Sequence, residues 1–448
     1  MTRYDMVVIG GGNTGLAVAN RVATAGRRVV LVDKGPIGGL CSLAGCNPKK
    51  VFVRASAVLD EVRRASEHGI EVGNVSIDWE RVWRRKHSFT DPVPESTERG
   101  LAEKGVDRVR GVARFTSSDA LIAADQELRA DAFVIATGST PRRFTVPGAE
   151  LMKTTDDILE LRQPPERMVI VGAGVIAFEF AHVFARVGTL VTILMRSKRA
   201  LANFDDDFAQ LAMEFGRTLG IEFIPDTTVT GVRESNAGLV VEFDSANGGD
   251  SREADFVLNA AGRVAAIESL NLQAAGVETW KRGIAVDEFL RSRTNRSVFA
   301  GGDVHGVLQL SPVASYEGRV IARNFLEGNV VKADYATVPQ AIYTTPPLAA
   351  VGLTESAARS KGIDVDVRSS DMKSWKVYAI AGEPVAHAKV IAERNSGRII
   401  GAQLFGAGAD DNIHIFALAM RCGITAADLK EAVYAYPTFA GTIQSAVP

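Results

Sequence analysis

Two glycine-rich turns, each set between an apolar strand-like run and a helical run, constrain this chain more than any other feature. The first follows Tyr4-Asp-Met-Val-Val-Ile9 and reads Gly10-Gly11-Gly12-Asn13-Thr14-Gly15, ahead of the alanine-rich residues 16–26. This is G-x-G-x-x-G in strand–turn–helix context: the glycines allow a tight turn, close backbone approach to a pyrophosphate and close helix–strand contact. The helix start adds unpaired N–H groups and partial positive charge. The next apolar run ends at Asp33, where a carboxylate at a strand end accepts the ribose hydroxyls of an adenosine lacking a 2′-phosphate. The pattern then recurs as residues 167–171, Gly172-Ala-Gly174-Val-Ile-Ala177, a helical run and the strand-like residues 190–195. Here the acid is missing and the chain reads Met195-Arg196-Ser197-Lys198-Arg199. Guanidinium groups grip a 2′-phosphate bidentately, so Arg196 and Arg199 point to NADPH, the alternative being bases that only decorate a solvent loop. Two such turns in series predict an α/β chain with two Rossmann-like dinucleotide-binding folds and hydride transfer between two cofactors.

At 448 residues with 46% hydrophobic content, the chain is long enough for several cores. A formal net charge of −2 gives no footprint for nucleic acid, and the run Arg84-Arg85-Lys86 is expected to be a solvated helix face. The chain enters a strand directly after MTR, and no apolar run approaches the ~18 residues of a membrane span. A cytoplasmic protein with no membrane partner is therefore expected. Only three cysteines are present, and two of them, Cys41 and Cys46, stand close together in GGLCSLAGCNPKK. A metal clip, a structural staple and a redox dithiol are the alternatives for such a pair. In a reducing compartment a catalytic or metal role is commoner than a structural one. A metal clip needs further Cys or His ligands, and Cys422, in the apolar run IFALAMRCG, is expected in the core, so no metal is expected. A thiolate near a helix start has a lowered pKa, which suits redox exchange.

These motifs, with Val134-Ile-Ala-Thr-Gly-Ser139, Asn259-Ala-Ala-Gly-Arg263, Val298-Phe-Ala-Gly-Gly-Asp303 and the C-terminal segment starting PQAIYTTPPLAAVGLTE, resemble the flavoprotein disulfide reductases, the family of glutathione reductase, dihydrolipoamide dehydrogenase and mercuric reductase. The resemblance covers essentially the whole chain. It implies FAD in the first fold, held by Gly10, Gly12, Gly15, Asp33, Thr137, Gly138 and Asp303, and NADPH in the second, at Gly172, Gly174, Arg196 and Arg199. It implies a reducible disulfide between Cys41 and Cys46 at the start of a helix from about Asn47, with Cys46 against the flavin and Cys41 exchanging with substrate. Lys49 matches the lysine near the flavin's reactive edge, and Glu179 its ion-pair partner. The segment from Ser311 resembles a helix start whose dipole steadies negative charge on the flavin. Val175 stands where glutathione reductases carry a gating tyrosine.

The pattern breaks at Ala435-Tyr436-Pro437-Thr438-Phe439-Ala440-Gly441. Family members usually read His-Pro-Thr followed by Glu, the His shuttling protons at the partner subunit's site. Here Tyr436 replaces the histidine and Gly441 the glutamate. A phenol of pKa about 10 can donate a hydrogen bond but is a poor base near neutrality. The resemblance therefore implies electron flow from NADPH through FAD to Cys41–Cys46 and on to a small-molecule disulfide, in a homodimer whose partner supplies the C-terminal segment. The alternatives are a non-disulfide acceptor (a quinone, a metal ion, or a ketone or thioether substrate of carboxylase type) and a non-catalytic redox sensor. Mercury reduction is disfavoured by the lack of a C-terminal cysteine pair and an N-terminal metal-binding module. The expected domains are FAD-binding at 1–148 and 265–332, nucleotide-binding at 149–264, and an α+β dimerisation domain at 333–448.

Overall fold

The strand Arg3–Ile9 lies inside a seven-stranded sheet, with parallel neighbours Val29–Asp33 and Gln126–Ile135. Its residues are apolar without alternation because both faces are covered. Met6 and Val8 pack with Val18, Val22 and Ile321, while Val7 and Ile9 pack with Phe133, Leu270 and Ile284. Register places Ile9 opposite both Val32 and Ile135, so the three strands finish side by side and release Gly10, Asp33 and Ala136 at one edge. Asp107–Arg110 and Val298–Ala300 join in parallel, and Ala120–Ala123 with Arg114–Ser117 close the sheet antiparallel.

This computed structural model describes residues 3–246 and 248–448. The sheet belongs to one of two units, made of the stretch ending at Val51 together with Trp83–Arg142 and Gly262–Asp334. The helix Asn13–Thr24 and the helix Ser311–Glu327 pack on it and are tied together where Thr14 Oγ1 donates to the Ala314 carbonyl at 2.9 Å.

The second unit contains Phe52–Val82, Arg143–Ala261 and Tyr335–Pro448. A four-stranded parallel sheet, in the order Glu222–Ile224, Leu190–Leu194, Arg167–Val171, Phe256–Asn259, carries the helix Val175–Arg186. Phe178, Phe180 and Phe184 of that helix are fully buried, and the Trp79 ring lies 4.8 Å from Phe52 and 5.3 Å from Phe184. A three-stranded antiparallel sheet runs through Thr228–Ser235, Gly238–Ser245 and Gly248–Ala254. Further along the chain a five-stranded antiparallel sheet, from Gln340–Ile342 to Val365–Asp371, packs Val351, Val390 and Leu404 against Ile413 and Phe416 of the helix Ala409–Cys422.

Two local expectations are corrected. Arg84 and Arg85 are exposed, but Lys86 is only 1% exposed, its Nζ 5.6 Å from the Trp83 ring centre. On the helix Trp79–Thr90 each residue turns by 100°, so Lys86 falls on the inward face with Thr90 while its basic neighbours face water. Cys422 is exposed rather than in the core, because it is the last residue of its helix and the chain turns away at Gly423. The helix expected from about Asn47 is present and begins at Cys46.

Candidate active site

In the first unit the edge released by the three parallel strands is shaped for a dinucleotide. Gly10 has φ +107°, and a Cβ there would stand 2.3 Å from the Ala136 carbonyl oxygen, so only glycine makes this turn. At Gly12 a Cβ would meet only the Gly39 backbone, at 3.6 Å, which leaves the turn open outward. Gly15 begins the packing of the helix onto the strand, its Cβ position 1.9 Å from the Gly10 oxygen. Asp33 is fixed at its strand end by two backbone donors, Gly11 N to Oδ2 at 2.5 Å and Gly35 N to Oδ1 at 2.6 Å. An open cleft beside it is lined by Pro36, Ile37, Arg108 and Arg110. Thr137 Oγ1 is buried without a hydrogen-bond partner among the described residues, next to Gly138 at φ +70°. An orphaned hydroxyl, an open glycine turn and an anchored acid at one sheet edge fit the flavin nucleotide.

Asp303 sits in the one-turn helix Gly302–His305, where its Oδ2 accepts from Ser139 Oγ at 2.7 Å. Arg263 donates to Ser139 Oγ at 2.8 Å and to the Ser139 carbonyl at 2.7 Å. Burial raises the Asp303 pKa, and the Ser139 hydrogen bond opposes it.

Cys41 lies on the short helix Gly39–Leu43, and Cys46 opens the helix Cys46–Arg63. Both are half-buried free thiols joined by a hydrogen bond. The Cys41 thiol is pushed down to about 6, chiefly by that bond, with further help from Ser311 and Asn13. The Cys46 thiol is pushed up because its proton is held in the same bond, burial adding to the effect and Lys49 pulling the other way. Ser311 Oγ donates to Cys41 Sγ at 3.0 Å, and Asn13 Nδ2 donates to Ser311 Oγ at 2.5 Å.

In the second unit Gly172 repeats the first turn, with φ +117° and a Cβ position 2.4 Å from the Ala260 oxygen, while nothing lies within 4 Å of a Cβ at Gly174. That clear space ahead of the helix start fits a second pyrophosphate. Glu179 is buried and accepts from Tyr343 N at 2.9 Å. The two candidate arginines differ. Arg196 is exposed, with no hydrogen bond or ion pair among the described residues, whereas Arg199 bonds the Phe204 carbonyl at 2.8 Å and Asp206 at 2.8 Å. Tyr436 is 79% exposed, and Gly441 N donates to Thr438 Oγ1 at 3.0 Å. The first unit thus gathers the cysteines, Lys49, Asp33, Thr137, Gly138 and Asp303, and the second carries Glu179, Gly172, Gly174, Arg196, Arg199 and Tyr436.

Sequence reasoning missed Asn13, Ser139 and Arg263, and it gave Ser311 only a helix-dipole role. All four lie within or beside quoted motifs, at positions whose side chains a glycine-centred reading leaves blank. Among the described residues no group of three His, Cys, Asp or Glu side chains is placed to hold a metal ion, and no helix is long and apolar enough to cross a membrane.

Two dinucleotide turns together with a hydrogen-bonded dithiol define a nucleotide-dependent thiol oxidoreductase. Residues 4–318 match the family described as pyridine nucleotide-disulphide oxidoreductase, and residues 338–447 match its dimerisation domain. The chain belongs to this family, whose flavoproteins use NAD(P)H and FAD to reduce disulfide substrates. It is 33% identical to mycothione reductase of Mycobacterium tuberculosis, covering 100% of this chain and 99% of that protein. It is 32% identical to dihydrolipoyl dehydrogenase of Bacillus subtilis, covering 99% and 97%. Among solved structures, the flavoprotein disulfide reductase RclA of Escherichia coli, in its Cu(II) complex, matches with a TM-score of 0.89 at 26% identity, covering 100% of this chain and 99% of that one.

Proposed function

We propose that this chain is a cytoplasmic, homodimeric, NADPH-dependent FAD enzyme that reduces a small-molecule disulfide through Cys41 and Cys46. The observation that carries this reading is the geometry of the dithiol, Cys41 on the helix Gly39–Leu43 and Cys46 opening the helix Cys46–Arg63, with Ser311 Oγ donating to Cys41 Sγ at 3.0 Å, in the unit whose sheet edge fits a flavin nucleotide. Residues 1–148 and 265–332 would bind FAD, 149–264 NADPH, and 333–448 would form the dimer interface. FAD, when bound, carries an electron pair from the nicotinamide to the disulfide. Gly10, Gly12, Gly15, Asp33, Thr137, Gly138 and Asp303 would hold it, with Lys49 near its reactive edge. Gly172, Gly174 and Arg196 would hold NADPH.

Cys41 attacks the substrate disulfide as a thiolate, forming a mixed disulfide and expelling one substrate thiolate. Cys46 gives up its proton and attacks Cys41 Sγ, closing the Cys41–Cys46 disulfide and expelling the second thiolate. The proton from Cys46 protonates one product, and solvent protonates the other. The partner's C-terminal segment brings Tyr436 to the leaving sulfur, where the phenol donates a hydrogen bond.

The test is NADPH oxidation by the holoenzyme across a panel of disulfides, quinones and metal ions. Turnover of one disulfide above about 10⁴ M⁻¹s⁻¹, abolished in Cys41→Ser, is expected. A second reading, electron transfer to a non-disulfide acceptor, draws on Tyr436 in place of a base and on the Cu(II) described for RclA. Rapid quinone or metal reduction that survives Cys41→Ser, with every disulfide inert, would establish it instead.

A further inference from the structure

The Cys41 sulfur receives a hydrogen bond from a side chain that arrives from the far end of the first unit's sequence. Ser311 is the first residue of the 17-residue helix Ser311–Glu327, so its hydroxyl sits in the partial positive charge of that helix start. A serine hydroxyl has one hydrogen to give, and its direction is set by what occupies the oxygen. Asn13 Nδ2 lies 2.5 Å from Ser311 Oγ and 3.3 Å from the Ser311 carbonyl oxygen. A carbonyl only accepts, which fixes the Asn13 amide with its NH₂ towards Ser311. The serine oxygen therefore accepts from Asn13, and its own hydrogen is left for the sulfur at 3.0 Å. The helix is anchored behind this contact by Glu317, fully buried, which accepts from Gly302 N at 2.5 Å and pairs with His305 Nε2 at 2.7 Å.

We propose that Ser311, oriented by Asn13, is a catalytic hydroxyl that holds Cys41 as the attacking thiolate. The proposal rests on the reading of Cys41 as the exchange thiol. During exchange a bond forms between Cys41 Sγ and one substrate sulfur, the substrate S–S bond breaks, and the electron pair leaves with the second sulfur. Ser311 keeps its proton throughout and lowers the energy of the anion from which the attack begins. The titratable groups facing this sulfur are Cys46, which donates to it, and Lys49, which acts through Cys46. The helices Asn13–Thr24 and Ser311–Glu327 present only the uncharged Asn13 and Ser311.

The measurement is the pH dependence of iodoacetamide alkylation of the NADPH-reduced holoenzyme, with the labelled cysteine located by mass spectrometry. The wild-type protein is expected to label at Cys41 with a midpoint near 6. Ser311→Ala should move the midpoint up by roughly one to two pH units, since a hydrogen bond to a charged group is lost. Asn13→Ala should move it by a smaller amount, and Ser311→Thr should restore it. Unchanged midpoints in both Ser311→Ala and Asn13→Ala, with Cys41 still the labelled residue, overturn the role of Ser311 alone. Preferential labelling of Cys46 in the wild-type protein overturns the assignment of Cys41 and this proposal with it.

Discussion

Arg196 and Arg199 share one loop and one side-chain chemistry, yet their surroundings give them different capacities. Arg199 already satisfies its guanidinium with two carbonyls of its own loop and the Asp206 carboxylate, so gripping a phosphate would cost it those bonds. Arg196, exposed, makes no such bond among the described residues. Arg196→Ala is therefore expected to lower the kcat/KM ratio of NADPH over NADH by about tenfold or more, the usual value of one charge-assisted contact. Arg199→Ala should leave that ratio within about twofold and loosen the loop instead. Initial rates with both nucleotides decide it, and an equal loss in the two variants would refute the distinction. The sequence offered both arginines because composition at a strand end is visible in a string of letters. Which one is already spent depends on where Phe204 and Asp206 return in space.

At the scale of elements, the glycine turns were legible because their constraint is local: strand, turn and helix lie within one contiguous stretch, and a Cβ either fits or does not. The two glycines of the second turn nevertheless predict opposite phenotypes. Gly172→Ala places a side chain at φ +117° against the Ala260 carbonyl, and should destabilise the protein by about 1–3 kcal/mol or more with a lowered melting temperature. Gly174→Ala meets no protein atom within 4 Å, so the melting temperature should hold while KM for NADPH rises several-fold, because the methyl occupies space meant for the ligand. Thermal melts and nucleotide kinetics on both variants check this, and a stable Gly172→Ala protein would refute it. Lys86 and Cys422 were misplaced for a complementary reason. One charge of a basic run rotates inward on its helix, and a cysteine in an apolar run lands on the helix's exposed last residue. Burial at such positions is decided by the elements that pack around them, which local sequence does not encode.

On the scale of the whole molecule, long-range placement was hardest to read. Ser311 and Cys41 stand 270 residues apart, and nothing in either motif announces that a hydroxyl of one reaches the sulfur of the other. In the proposed dimer Tyr436 poses the same problem across two chains. Tyr436 is 79% exposed, and the chain carries the family's dimerisation domain. A mixed dimer tests whether it completes a site on the partner subunit. Cys41→Ser removes the exchange thiol, and Tyr436→Ala should lower disulfide turnover by roughly tenfold through loss of the hydrogen bond to the leaving sulfur. If each site combines Cys41 of one protomer with the partner's phenol, a heterodimer of the two variants contains one intact site, since the Cys41→Ser chain still lends its tyrosine. Random reassociation of equal amounts makes about half of the dimers mixed, each with one working site of two, so roughly a quarter of wild-type activity should return, on top of the residual activity of the Tyr436→Ala homodimer. If Tyr436 served its own protomer, neither chain of the heterodimer would hold both groups, and mixing would raise activity no further than the average of the two parents.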